Sequence, residues 1–253
     1  MIAAARPSEL TELGSGNGTK VRLLLDAMAR ERLLRRLVLL DISESVLEAS
    51  VVRLASDYPG LDAKGIVGDF ARDLVALGPG GGRMAVFLAG TVGNLHPTTE
   101  VPPFLKALAA QLAPGDSFLL GVDLVKDEAR LHAAYNDAAG VTAEFNRNIL
   151  RVVNDRLGAD FDPDAFEHLA FYDRENAWIE MRLRALRACR VRVPLAGLDL
   201  SFDCGDAIRT EISCKYTRAS LEGRLDGTGL RLERWFTDPD ELFAVALLRR
   251  MAS

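Results

Sequence analysis

The sequence predicts an α/β protein, a doubly wound and mostly parallel sheet with a second, α+β segment inserted into it. Three observations predict it. A glycine-rich turn, Gly14-Ser-Gly-Asn-Gly18, stands between a short apolar stretch and the amphipathic run from Val21 to Met28. Further short apolar stretches recur through the first half with helical runs between them, as expected of a parallel sheet covered on both faces. After Asp123 that rhythm gives way to long helical runs and then to alternating strands.

The expected strands of the first half are residues 9–13, 36–41, 63–67, 83–89 and 116–122, each apolar on both faces. The helices between them are expected at 19–31, 43–57, 70–76 and 98–112. Ser43 precedes the apolar run that starts at Val46 and is a candidate helix cap. Pro114-Gly115 turns the chain into the strand that begins at Asp116. Residues 126–157 have helical character with a break at 136–141, where Gly140 can turn the chain. Residues 166–193 have strand character. Within them Trp178-Ile-Glu-Met-Arg-Leu-Arg-Ala alternates apolar and charged side chains, the pattern of antiparallel strands with one wet face. A helix is expected to begin after Asp206 and pass through Glu211, and another to start from Thr217. Strands at 230–236 and 242–249 are expected to close the sheet as an antiparallel edge pair. The expected organisation is a cofactor domain of residues 1–125 and 211–253, with a substrate-recognition lobe of residues 126–210 inserted over the carboxyl edge of its sheet.

A chain of 253 residues can bury a sizeable core. Its net charge of -5 argues against nucleic acid or an anionic membrane as a partner. No apolar stretch approaches the length of a membrane span, and no signal-like N-terminus is apparent. Cys189, Cys204 and Cys214 have neither metal-ligand spacing nor an even-numbered disulfide scaffold, so reduced thiols in the cytoplasm are expected. His96, His132 and His168 are dispersed, and no metal site is expected.

The glycine turn points to an adenosine-containing cofactor. Asp41 ends the second strand, where a carboxylate suits the two hydroxyls of a ribose. The spacing is Gly-x-Gly-x-Gly, not the Gly-x-Gly-x-x-Gly of dinucleotide folds. Glu12 directly precedes the loop, and a carboxylate there suits a cationic, phosphate-free cofactor better than a pyrophosphate. S-adenosylmethionine fits, with its ribose toward Asp41 and its aminocarboxylate toward the loop and Lys20. Asp69 follows the third strand, where it can accept from the adenine amino group beside Phe70. These residues favour a methyltransferase over an oxidoreductase or a noncatalytic cofactor-binding fold.

Longer segments carry a more specific resemblance. They are Glu12-Leu-Gly-Ser-Gly-Asn-Gly-Thr-Lys20, Gly90-Thr-Val-Gly-Asn-Leu95, Gly121-Val-Asp-Leu-Val-Lys-Asp127, Tyr135-Asn-Asp-Ala-Ala-Gly-Val-Thr-Ala-Glu-Phe-Asn146 and Thr210-Glu-Ile-Ser-Cys-Lys-Tyr216. The chain resembles the histidine-specific methyltransferases of ergothioneine biosynthesis, which convert L-histidine to its Nα-trimethyl betaine, hercynine. The resemblance runs from about residue 9 to the C-terminus. It implies cofactor contacts at Gly14, Lys20, Asp41, Asp69 and Phe70. It implies that Asn94 and Tyr135 hold the carboxylate and amino end of the substrate, that Glu211 and Ser213 recognise its imidazole, and that Met181 lines the pocket.

The residue types suit those roles. An asparagine amide can donate to a carboxylate while its oxygen accepts from an amine, although Asn94 is equally a turn former. The Tyr135 hydroxyl can donate to a carboxylate, or serve the core with one structural hydrogen bond. Glu211 and Ser213, two apart, share a face on a strand but diverge on a helix. Methyl transfer by in-line displacement needs no protein nucleophile, so positioning and desolvation of the neutral amine carry the expected mechanism.

Two departures from the resembled enzymes bear on these expectations. Those enzymes carry a substantial segment before the first strand that contributes to the substrate lobe. Without it the amino-acid pocket is expected to be open, or to be completed by a partner or a second copy. Ala89 also stands where glycine is common near the substrate amine. Alternatives are a family member acting on another amino acid or small amine, and a cofactor-binding remnant without turnover. Glu211 with Ser213 favours histidine over tryptophan, whose indole offers only a donor.

Overall fold

The structure, a computed structural model, describes residues 1–252. They form two compact units, one of Met1–Leu124 and the chain from Tyr216 onward, the other of Val125–Lys215.

The first unit contains α1 (Ile2–Ala5), β1 (Glu9–Leu13), α2 (Arg22–Arg30), β2 (Arg36–Asp41), α3 (Glu44–Asp57), β3 (Asp62–Val67), β4 (Arg83–Phe87), α4 (Val101–Ala110) and β5 (Ser117–Asp123). Its strands form one sheet with two that lie late in the sequence, numbered β11 and β12 below. β1 runs parallel to both β2 and β4, β3 parallel to β2, and β5 parallel to β4. The central strands are buried on both faces, so Leu10, Leu37, Leu39, Met84 and Val86 meet Leu25, Met28 and Leu54 in one core. That burial matches their nearly continuous apolar sequences.

Three local expectations are corrected. β3 is not apolar on both faces: it is an edge strand with only β2 beside it, and its Asp62 and Lys64 are exposed. Residues 70–76 do not form an α-helix. Asp69 Oδ1 accepts the Ala71 N–H at 2.8 Å and Asp73 Oδ2 accepts the Asp69 N–H at 2.7 Å, leaving only a short 3-10 turn at Leu74–Leu77. Local carboxylate bonds of this kind compete with helix propagation. Ser43 does occupy the cap position of α3, but its hydroxyl makes no capping bond. Its backbone N–H instead donates to Asp41 Oδ1 at 3.0 Å.

The second unit contains α5 (Glu128–Tyr135), α6 (Val141–Leu157), β6 (Phe166–Asp173), β7 (Trp178–Ala185), β8 (Cys189–Val193), β9 (Leu198–Phe202) and β10 (Ala207–Cys214). β6, β7 and β10 form an antiparallel sheet, and β8 and β9 a separate hairpin. Leu150 of α6 packs with Phe166, Leu183 and Ala185, and Leu131 of α5 with Ala170, Ile179 and Met181. The helix expected after Asp206 is β10. Its Ile208, Thr210 and Ile212 favour an extended chain, and pairing with β7 satisfies its backbone.

The chain closes in the first unit with α7 (Arg218–Leu225), β11 (Leu230–Thr237) and β12 (Phe243–Arg250). The Thr217 hydroxyl accepts the Ser220 N–H while Ser220 returns a bond to the Thr217 N–H, a capping box that starts α7. β12 pairs antiparallel with both β5 and β11, so the sheet order is β11-β12-β5-β4-β1-β2-β3. Among the described residues no helix is long and apolar enough to cross a membrane.

Candidate active site

In the first unit the candidate residues gather at the carboxyl ends of β1 to β4, where ligands bind in open α/β sheets. The loop after β1 holds Gly14, Gly16 and Gly18 at φ of 62°, 51° and 63°, the left-handed region that favours glycine. Asp41 anchors this loop: its Oδ2 accepts the Gly16 N–H at 2.7 Å. Each carboxylate oxygen has a second lone pair, so Asp41 keeps acceptor capacity for a ligand hydroxyl. Phe70 packs on Phe87, with ring centroids 4.8 Å apart, and a Cβ placed on Gly14 would lie 3.8 Å from the Phe70 ring. Phe70 is half-buried, Lys20 is exposed, and Asp69 adds a loose ion pair to Arg72 at 3.9 Å.

Glu12 is the electrostatic centre of this region. It is 3% exposed, and burial pushes its carboxyl up to about 7, with Lys20 pulling down and Asp41 pushing up. Its Oε2 has no hydrogen-bond partner, and neither has the buried hydroxyl of Ser15 in the same loop. Buried polar atoms are rarely left unpaired, so both suit a ligand with polar groups. Glu12 specifically suits a cation.

Asn94 ends a 3-10 turn, Thr91–Asn94, beyond β4. Ala89 and Gly90 just before it have φ of 63° and 72°, which ends the strand at Phe87 instead of the expected residue 89. Asn94 is exposed.

In the second unit Tyr135, Met181, Glu211 and Ser213 come together on one face of the β6–β7–β10 sheet. Glu211 lies opposite Met181, which lies opposite Ala170; Ser213 lies opposite Ile179, which lies opposite Tyr172. A β-bulge between Arg209 and Glu211 produces this alignment. Ile208 opposes Leu183 on the packed face, so regular alternation would bring Thr210 to that face and turn Glu211 away. The bulge absorbs Thr210, whose hydroxyl donates to the Met181 carbonyl at 3.1 Å. Burial raises the Glu211 carboxyl above its ordinary range, opposed by the charge of Lys215.

Tyr135 ends α5 and donates its hydroxyl proton to Ser213 Oγ at 2.9 Å. Two residues absent from the expected set support it. His168 Nε2 bonds the Tyr135 carbonyl at 2.8 Å, and its Nδ1 meets Asn146 Nδ2 at 2.9 Å. A third, Lys215, bonds both Tyr135 and Ser213. Its sequence signals were its place in the Thr210–Tyr216 segment and its position two residues beyond Ser213, which on a strand continues the same face.

A family model described as histidine-specific, S-adenosylmethionine-dependent methyltransferase matches residues 1–250. The chain is 47% identical over 250 residues to the histidine N-alpha-methyltransferase of Mycolicibacterium smegmatis, covering 99% of this chain and 78% of that protein. It is 46% identical over 247 residues to the enzyme of the same name from Mycobacterium tuberculosis, covering 98% and 77%. In fold it is similar to an S-adenosylmethionine-dependent methyltransferase from Clostridium acetobutylicum, with a TM-score of 0.56, 11% identity, and coverage of 99% and 88%.

Proposed function

The chain belongs to the histidine-specific, S-adenosylmethionine-dependent methyltransferases, and we propose that its first unit binds the cofactor at Glu12, Gly14 and Asp41 while its second reads an imidazole at Glu211 and Ser213. The reaction is methylation of the α-amino group of L-histidine, the route to hercynine in ergothioneine biosynthesis. Its acceptor is a small amino acid.

When bound, the cofactor supplies a methyl group on a sulfonium centre, so no protein nucleophile is needed. Asp41 takes the ribose hydroxyls, with the Gly16 and Ser43 N–H groups holding its carboxylate in place. Glu12 receives the cofactor's ammonium, which supplies the partner that its buried carboxylate otherwise lacks. Lys20 takes the cofactor's carboxylate. Asp69 and Phe70 hold the adenine, the first by an acceptor oxygen and the second by its ring.

The α-ammonium of histidine loses its proton before each transfer, because only the neutral amine has a lone pair to attack with. Asn94 orients that amine through its amide oxygen. Glu211 accepts an imidazole N–H, Ser213 addresses the other ring nitrogen, Met181 packs on the ring, and Tyr135 holds Ser213 in position. The observation that carries the imidazole assignment is the pairing of a half-buried carboxylate with a buried hydroxyl two residues on, on one sheet face. A site that bonds both ring nitrogens rejects rings that lack one of them, since a buried group would be left unpaired. The three free thiols, with Cys204 exposed, support a cytoplasmic location.

Incubation of the chain with S-adenosylmethionine and L-histidine, with products resolved by mass spectrometry, tests the reading. Mono-, di- and trimethylated histidine above an Asp41→Ala control is expected. Cofactor binding without any methylated histidine would overturn it.

A further inference from the structure

Lys215 is only 3% exposed, and its ammonium donates to two oxygens: Tyr135 Oη at 2.9 Å and Ser213 Oγ at 2.7 Å. The same nitrogen sits 4.9 Å from the centroid of the Tyr135 ring. Tyr135 gives its own proton to Ser213. A hydroxyl oxygen has one proton and two lone pairs, whereas an ammonium can only donate. Both lone pairs of Ser213 are therefore filled, one by Tyr135 and one by Lys215. What remains at Ser213 is its own O–H.

We propose that Lys215 is a positioning residue that sets the polarity of ring recognition: it fills an acceptor site on Ser213 and so leaves that hydroxyl able only to donate toward the substrate. Glu211, an acceptor, then takes a ring N–H, and Ser213 gives its proton to a bare ring nitrogen. The ligand class is an amino acid with a neutral azole ring that carries one N–H and one bare nitrogen. A ring with an N–H alone leaves the Ser213 proton facing carbon, an unpaired buried donor. The inference rests on the assignment of Glu211 and Ser213 to imidazole.

Two analogues and two variants test it in the full chain. β-(Thiazol-4-yl)-L-alanine keeps a bare ring nitrogen and lacks the N–H; β-(pyrrol-2-yl)-L-alanine keeps the N–H and lacks the bare nitrogen. The wild type is expected to bind histidine at least about ten-fold tighter than the pyrrolyl analogue, the scale expected when a buried hydrogen-bonding group loses its partner. Lys215→Met frees Ser213 to accept. It should raise KM for histidine about ten-fold, change kcat by less than about three-fold, and bring the pyrrolyl analogue to within about three-fold of histidine. Lys215→Arg, which keeps charge and donors, should restore part of the discrimination. S-adenosylmethionine affinity should be unchanged in both variants, which separates this role from a general loss of structure.

Unaltered discrimination in Lys215→Met, or equal losses in the Met and Arg variants, would overturn the inference. If Lys215→Met does not fold, equal binding of histidine and the pyrrolyl analogue by the wild type overturns it alone. A wild type that neither binds nor methylates histidine defeats the imidazole assignment itself. A wild type that methylates histidine, with discrimination independent of Lys215, defeats only the role given to Lys215.

Discussion

The Asp41 carboxylate, at the end of β2, accepts the Gly16 backbone N–H at 2.7 Å and so ties the second strand to the loop that follows the first. Its other oxygen accepts the Ser43 N–H at 3.0 Å. The residue assigned to the ribose is thus also the brace that shapes the glycine loop.

Asp41→Ala should therefore weaken S-adenosylmethionine binding and loosen the loop together. Hydrogen bonds to a charged group are worth about 1.5–3 kcal/mol, so a loss of at least about ten-fold in affinity is expected. Asp41→Asn keeps one acceptor oxygen and should fall between. Calorimetric titration with the cofactor checks this, and wild-type affinity in the alanine variant would remove Asp41 from the site.

Glu12 should make stability, and on the proposed reading cofactor binding, depend on pH. Its carboxyl is raised from 4.5 to about 7, chiefly by burial. Between those values the folded chain holds a proton that the unfolded chain has released, so stability falls as pH rises across that window and levels off above it. The effect is at most about 3 kcal/mol, and Glu12→Gln should abolish it. Denaturant unfolding at pH 5 and pH 7.5 measures the difference. Binding of a cationic cofactor near pH 6 should also release a proton, seen as a heat that varies with buffer ionisation enthalpy.

Gly16 and Gly18 share left-handed φ but differ in what surrounds them. A Cβ on Gly16 would meet nothing within 4 Å, whereas one on Gly18 would lie 3.0 Å from Leu54 Cδ1. Gly16→Ala should cost about 1–2 kcal/mol from backbone strain alone. Gly18→Ala should cost more, because Leu54 of the buried core must also shift. Equal unfolding midpoints for the two variants would contradict this packing.

Glu211→Ala should act on the amino acid and not on the cofactor. Loss of a hydrogen bond to a charged acceptor predicts a rise in KM for L-histidine of about ten-fold to a hundred-fold. S-adenosylmethionine affinity should stay within error of wild type. Histidine kinetics that do not respond to the substitution would place imidazole recognition elsewhere.

Much of the fold was legible because its signals are local. The β1–loop–α2 unit follows from three glycines that tolerate left-handed φ, set between an apolar strand and an amphipathic helix. β12 and β11 were recognisable as a closing antiparallel pair because a turn of Asp and Pro separates two segments of strand character. Errors arose where a partner outside the local window decided the outcome. Residues 207–214 were expected to lie on a helix, yet hydrogen bonds to β7 make them a strand. Residues 70–76 lost their helix to the carboxylates of Asp69 and Asp73, whose bonds depend on how the chain turns.

The order of residues sets which groups are available and how often apolar side chains recur, and that was enough for the sheet, the glycine loop and the acidic residue at the end of β2. Tertiary structure decided which of those groups act together. A one-residue bulge brings Glu211 and Ser213 to the face of Met181, and a buried Lys215 joins Ser213 to Tyr135, 78 positions earlier in the sequence. The Glu12 carboxyl titrates near 7 only because strands from distant parts of the chain exclude water around it. Register and desolvation are properties of packed neighbours, and periodicity within one segment carries no information about either.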